Sequence, residues 1–402
     1  MTERRETHPN PLPLAVKACL ALLALSILFA GCEARPEAGE KPELSDITLS
    51  AGILEPAFSP AVTEYAITVP NGETSFVATG KPARPDVRSA GQSGKTIKLS
   101  VGKNAVVIEA RGKRGTRKRY SLTVDRAGDY SSRAVPSLTL AFVPAGRFTR
   151  DSDPGNVSVI RSGFRISRHE ITRSQYLAVM GIDPSNTMYS SGLDDPVQTV
   201  NWYQAIAFAN RLSAADGLEP AYRVSGVDFA KLAFRDIPTG ADARWDSAKV
   251  DWKASGYRLP TELEWTWAAM GATGSPDKPF AGSANGNDIA SYAVYGNYGD
   301  DPGRTRAHRS NPVGSKLPNE LGLYDMSGNI WEWCWDWYGE YPTGEVVSDD
   351  PDGRGRGPTT GKARVCRGGS WSREASYCAV SNRRSLEPHI AYIYFGFRVA
   401  RP

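Results

Sequence analysis

Few residues in this chain are of a type and spacing that could do chemistry. There are five cysteines, Cys19, Cys32, Cys334, Cys366 and Cys378, and only four histidines in 402 residues. That histidine count argues against a His-rich zinc enzyme, and the cysteine count against a disulfide scaffold. A thiolate is a nucleophile and a soft metal ligand; otherwise a cysteine packs as a small apolar side chain. Cys334, Cys366 and Cys378 allow at most one disulfide, whose pairing cannot be read from their spacing. A second candidate is the stretch from Ser372 to Tyr394, rich in Tyr, Ser and Arg. Such a composition suits recognition, because tyrosine supplies contact area at low entropy cost. A third is the alternation Trp331, Trp333, Trp335, Trp337, which puts four indoles on one face if the segment is a strand. Core packing accounts for them through the area each indole buries, and a sugar-stacking platform is the other reading.

These residues need a scaffold, and the composition describes two. Hydrophobic residues at 40% and charged residues at 23% exclude wholesale disorder. Lys+Arg 48 against Asp+Glu 44 is too even to argue for nucleic acid. All ten tryptophans lie at Trp202 or later, so the two parts of the chain are different domains. In the first, about 44–126, Ala66–Val69, Thr96–Leu99, Val106–Glu109 and Ser121–Val124 are β-rich runs between turn signals, which favours a β-sandwich. Arg111 to Arg119 (RGKRGTRKR) reads as a basic hairpin: a solvated loop, or a contact for anionic glycans or the envelope. The Gly/Ser/Pro-containing stretch 127–136 is expected to act as a linker. In the second domain, 137–402, Trp202, Ala205, Ile206 and Ala209 share one helical face within Thr199–Leu212. Thr261 and Glu264 form a capping box that opens another helix after Pro260. The rest is turn-rich, which predicts an α+β fold with long loops tied by bound ions or dense aromatic packing.

The N-terminus reads as an address. Arg4, Arg5 and Lys17 precede an apolar run from Ala18 to Ala30, too short to span a bilayer as a helix. Its end, Leu28-Phe29-Ala30-Gly31-Cys32, resembles a lipoprotein signal, with Phe29 larger than the family usual. The resemblance implies a signal peptide over 1–31, a lipid on Cys32, a charged tether over 32–43, and an exported protein anchored to the bacterial cell envelope.

Two further resemblances cover the folded part. The segments LSDITLSAG, FSPAVTEYAITVP, GKNAVVIEARG and YSLTVDRA resemble the cadherin-like β-sandwich domain of bacterial surface proteins, which implies a spacer or adhesion module. Seven blocks of the second domain are similar to the sulfatase-modifying-factor family, that of the formylglycine-generating enzyme. They are Phe142–Phe148, His169–Thr172, Pro196–Trp202, Gly256–Trp265, Gly322–Trp333, Arg367–Trp371 and Gly396–Arg398. That resemblance implies a C-type-lectin-like α+β fold.

The family's enzyme oxidises a sulfatase cysteine to formylglycine with two copper-binding cysteines five residues apart. Carried over, the second falls on Cys378 and the first on Arg373, which cannot ligate copper. Cys366 precedes Arg367 and is expected to point away from the site if Arg367 to Trp371 runs as a strand. The resemblance also places calcium on Asp325, Gly328, Ile330 and Glu332, the alternative being that Glu332 pairs with an arginine. A second calcium site would use Asn297 and Tyr298. The C-terminal frame resembles non-catalytic members of the fold and the variable segment of diversity-generating retroelement targets. In that resemblance Ser372, Arg373, Glu374, Tyr377, Ser385, Leu386, Ile390, Tyr392 and Tyr394 form the exposed ligand surface. The expectation is a lipid-anchored, non-catalytic binding module for an unidentified protein or glycan. An active copper oxidase and a variable display protein are the alternatives.

Overall fold

Alternation of buried and exposed residues builds the first domain. In Glu64–Val69 the side chains of Tyr65, Ile67 and Val69 are buried and those between them exposed, the period-two pattern of a strand with one wet face. The computed structural model describes residues 41–274, 278–283, 288–296, 305, 308–348 and 357–402. Glu64–Val69 joins Arg117–Arg126, Gly102–Arg111 and Arg88–Gly91 in a four-stranded sheet. Leu44–Leu49 pairs with Ala78–Pro82, and Ser75–Phe76 with Ile97–Lys98. The inward residues, among them Leu44, Phe76, Ile108, Tyr120 and Val124, form one core. The basic run is the hairpin turn between Gly102–Arg111 and Arg117–Arg126, registered from Gly102↔Arg126 to Arg111↔Arg117. The strand expected at 96–99 shortens to Ile97–Lys98, and two further strands, Ala78–Pro82 and Arg88–Gly91, use Gly- and Pro-containing sequence that reads locally as turn.

The stretch 127–136 does not act as a linker. Tyr130–Ser131 pairs with Thr139–Val143 at the edge of a sheet that continues through Phe164–Ser167 to Ala400–Arg401. The Asp216 carboxylate holds it, accepting from Ser132 Oγ at 3.0 Å and the Ala134 N–H at 2.7 Å. The apparent linker residues thus close the second domain, and Val135 enters its core.

Three helices of that domain start on reciprocal capping boxes: Arg173–Met180 on Thr172 and Gln175, Trp202–Ala215 on Asn201 and Gln204, and Glu262–Ala269 on Thr261 and Glu264. Each box satisfies two backbone N–H groups that the first helical turn leaves open. Trp202–Ala215 is apolar around most of its circumference and lies inside the core, as such a helix must. Beside it stands a sheet in the order Arg384–Leu386, Arg364–Arg367, Trp331–Trp337, Phe395–Gly396. Alternation divides this sheet between two cores. Trp331, Trp333 and Cys366 pack with the long helix, while Cys334 and Val365 pack with Glu262–Ala269. The alternating indoles are therefore core residues, with Trp335 half-buried. No helix among the described residues is long and apolar enough to cross a membrane.

Candidate functional site

The loop entering Trp331–Trp337 carries the candidate cation residues and is conformationally demanding. Asp325 (φ 58°), Gly328 (φ 91°) and Asn329 (φ 60°) all adopt left-handed backbone, a conformation that costs free energy outside glycine. Gly328 has a second constraint, since a Cβ there would lie 2.5 Å from the Val294 carbonyl oxygen. The loop is held by backbone bonds from Gly328 N–H to Gly368 O (2.7 Å) and from Asn329 N–H to Val294 O (2.8 Å).

Three carboxylates converge behind this loop. Glu170 accepts from Asn329 Nδ2 at 2.7 Å and from the Ile330 N–H at 3.0 Å. Glu332 accepts from Arg398 Nε and Nη2 at 2.6 and 2.7 Å and from Trp265 Nε1 at 2.6 Å. Asp325 Oδ2 accepts from the Gly314 N–H at 2.7 Å, whereas its Oδ1 is buried without a partner. Glu170, Asp325, Glu332 and Arg398 are all essentially inaccessible. Burial, reinforced by Asp325 and Glu332, pushes Glu170 well above the usual carboxylate range. Burial likewise raises Asp325 to about 6. Three acids thus share one guanidinium, which favours either protonation or a cation. Glu332 pairs with an arginine, the alternative weighed above, and both its oxygens are engaged. Glu170 was not among the candidates. Its signal is a charged residue followed directly by Ile171 at the start of a helix, which gives no hint of the loop it will meet.

The cysteine region is equally specific. Arg367 to Trp371 does not run as a strand: the strand Arg364–Arg367 ends there, because Gly368 (φ 95°) and Gly369 (φ 80°) turn the chain. Cys366 faces the core of the long helix, Cys334 the opposite core, and Cys378 a small core with Phe280, Ile289 and Tyr295. The described residues contain no disulfide among these three buried thiols. Burial drives the Cys334 and Cys366 thiols well up, away from the reactive thiolate. Gly369 packs so tightly on Cys378 that a Cβ would lie 2.7 Å from Sγ. Arg373 lays its guanidinium over the Tyr377 ring at 5.4 Å, and its carbonyl accepts from the Gly296 N–H at 2.6 Å. One buried thiol and one stacked guanidinium do not make a paired-thiolate copper site.

The candidate ligand surface divides by exposure. Tyr377 and Tyr392 are exposed; Arg373, Glu374, Ser385, Leu386, Ile390 and Tyr394 are half-buried. Ser372 corrects the expectation: it is 5% exposed and shares a 2.9 Å hydrogen bond with Ser370 Oγ, so it props the turn from within. Tyr392 and Tyr394 stack at 5.7 Å between ring centroids, beside Arg384, which lies over Trp331 and Phe395. Tyr189, not among the candidates, stacks on Trp371 at 5.9 Å. Asn297, Tyr298 and Cys32 lie outside the described residues.

Comparison with known proteins agrees with this geometry. Residues 127–402 match the sulfatase-modifying factor enzyme 1-like domain, and residues 44–127 the cadherin-like beta sandwich domain. The chain belongs to the sulfatase-modifying-factor family. A relative in Paenibacillus barcinonensis, chaperone protein LppX, is 31% identical over 62% of this chain and 85% of its own length. The formylglycine-generating enzyme of Thermomonospora curvata is 34% identical over 39% of this chain and 53% of the enzyme, so the match spans only about half of that protein. The solved structure of Treponema denticola variable protein 1 is 37% identical, with TM-score 0.59, over 68% of this chain and 99% of that protein. The expected α+β formylglycine-generating-enzyme fold, preceded by a β-sandwich, is the one found. Among the described residues, the loop Asp325–Ile330 forms a left-handed turn, and Arg373 stands five residues before Cys378.

Proposed function

We propose that this chain is an exported, lipid-anchored binding protein in which the sulfatase-modifying-factor domain presents its C-terminal segment to a protein or glycan. In this reading it performs no formylglycine chemistry. The observation that carries it is Arg373 stacked on Tyr377 where copper chemistry needs a thiolate, with Cys378 packed under Gly369. The recognition surface is the tyrosine-rich rim of Tyr377, Tyr392 and Tyr394, edged by Arg373, Glu374, Leu386 and Ile390. Tyr392 and Tyr394 already lean on one another and Tyr377 carries Arg373 over its ring, so they lose little entropy on binding. The sandwich serves as spacer and Cys32 as the lipidated residue.

In the same reading the Asp325 loop binds a calcium ion. Asp325 Oδ1 is a buried acceptor without a donor, with Glu170 and Glu332 close enough to act on one another and on it, and calcium is held by oxygen ligands of this kind. Asp325 and the carbonyls of Gly328 and Ile330 would hold it, with Glu332 remaining on Arg398. Its contribution would be charge compensation that locks the strained loop.

The deciding experiment incubates the purified chain with copper and a cysteine-containing sulfatase peptide. No formylglycine and no copper uptake sensitive to Cys378→Ala are expected; formylglycine in the peptide would overturn the reading. The likeness to Treponema denticola variable protein 1 favours one second reading, a variable display protein. A neighbouring reverse transcriptase and an adenine-rich near-copy of the coding 3′ end must then exist.

A further inference from the structure

The sandwich domain concentrates positive charge at one end, and that end receives the chain from its N-terminus. Register places Arg88 opposite Arg111 and Arg111 opposite Arg117, so three arginines stand side by side across three adjacent strands. Directly opposed like charges destabilise a sheet. Glu109 offsets part of this row, bonding Arg111 at 2.7 Å and approaching Arg119 at 3.9 Å. Among the described residues, Arg88, Lys113, Arg114 and Arg117 make no ion pair, and all four are exposed. The segments that meet at this end, 41–43, 83–88 and 111–119, carry nine basic residues against two acidic ones, Glu43 and Asp86.

The entry point of the chain is fixed here too. Lys118 Nζ bonds Glu43 Oε1 at 2.6 Å. A Cβ on Gly112, beside the hairpin tip, would lie 3.3 Å from Pro42 Cβ. Between Cys32 and Pro42 there are nine residues, a reach of about 30 Å at full extension. From the tip, the strand Arg117–Arg126 runs to the start of the second domain, about 33 Å away at the usual rise.

We propose that this basic end is a membrane-docking surface that seats on anionic phospholipid headgroups. It rests on the reading of Cys32 as the lipid anchor. Basic residues held close to a lipidated segment add attraction to anionic headgroups, about 1 kcal/mol each near the surface, and so set how the anchored domain lies on the lipid. Docked this way, the sandwich stands on its hairpin tip and carries the recognition domain a strand's length away from the lipid.

The test uses the full mature chain with Cys32→Ser, so that no acyl chain contributes, and sedimentation with vesicles. Binding is expected to vesicles of phosphatidylcholine with phosphatidylglycerol, to weaken between about 0.1 and 0.5 M salt, and to be absent with phosphatidylcholine alone. The triple variant Lys113→Gln, Arg114→Gln, Arg117→Gln should lose about a hundredfold in partitioning, at roughly fivefold per basic residue. All three sites are exposed, so the fold should survive, and an unchanged melting temperature checks this. The variant Arg223→Gln, Lys249→Gln, Lys253→Gln in the second domain should bind as the parent does. Failure to bind anionic vesicles, equal binding by the hairpin variant, or capture by a soluble acidic polysaccharide without vesicle binding would each overturn the proposal. Mass spectrometry of the cell-derived wild-type protein reads acylation of Cys32 separately, so loss of the anchor reading is distinguishable from loss of the docking surface.

Discussion

Replacing Arg398 with methionine tests whether the carboxylate cluster is governed by excess negative charge. Arg398 makes two bonds to Glu332, at 2.6 and 2.7 Å, and donates to the carbonyls of Ser167 and Tyr324 at 2.9 Å. Arg398 and Glu332 are both fully buried. Removing one partner of such a pair typically costs about 3–5 kcal/mol, because the other charge stays buried. Here Arg398→Met leaves three acids with no guanidinium and two carbonyls without that donor, so the upper part of that range is expected, about 5 kcal/mol. Glu332→Gln removes one acid of the three and keeps an acceptor for Arg398 and Trp265. Its loss should be smaller, about 1–2 kcal/mol. At roughly 2–4 °C per kcal/mol for a domain of this size, the variants should melt some 10–20 °C and 2–8 °C below the parent. Urea denaturation with EDTA present measures both without a metal contribution. Equal losses, or a larger loss for Glu332→Gln, would refute the excess-charge argument, since a simple pair would suffer alike from either side. Adding calcium to the parent should raise its melting temperature, and Asp325→Asn should diminish that rise.

Three further outcomes follow from local geometry. Burial and the nearby Glu262 raise Asp336 to about 7, so the folded state holds a proton that the unfolded chain releases near pH 4. Stability from this group therefore declines as pH rises from about 4 to 7, at up to about 1.4 kcal/mol per pH unit; Asp336→Asn, which keeps the acceptor for the Glu262 N–H, should flatten that slope in denaturation series. Gly369→Ala places a Cβ at φ 80°, 2.7 Å from Cys378 Sγ, and should cost roughly 2–4 kcal/mol by chemical denaturation. Thr261→Ala removes the cap that accepts from the Glu264 N–H at 3.2 Å and should cost about 1 kcal/mol, with Arg258 still holding Glu264 through bonds of 2.6 and 2.7 Å.

What the sequence displayed and what it hid differ by range. The Thr261 capping box, the buried face of Trp202–Ala215, the alternating indoles and the basic hairpin are written within a few residues of one another. Arg373 stands out only through the family resemblance, not through any local pattern. The failures were long-range. The stretch 127–136 looked like a linker because its Gly and Ser content says nothing about Asp216, which folds it onto the second domain. Glu170 meets Ile330, and Tyr189 meets Trp371, across distances at which no periodicity operates.

The long loops were expected to need ties, and the structure adds one that composition disguised. Buried guanidiniums join segments far apart in the chain. Arg367 bonds Glu262 and the carbonyls of Val380 and Asn382. Arg364 bonds the carbonyls of Trp335 and Asp246 while lying 3.8 Å from the Trp202 ring centroid and 3.6 Å from that of Trp337. A loop-rich interior leaves carbonyls without strand or helix partners, and burying them unbonded is costly. Arginine, with five donors in a planar fork and a face that stacks on indoles, can satisfy several at once where lysine cannot. An even charge balance over the chain therefore conceals an interior in which arginine and tryptophan together replace much of the regular hydrogen bonding that sheets and helices would supply. That interior packs on both faces of the strand Trp331–Trp337, which the Asp325 loop enters.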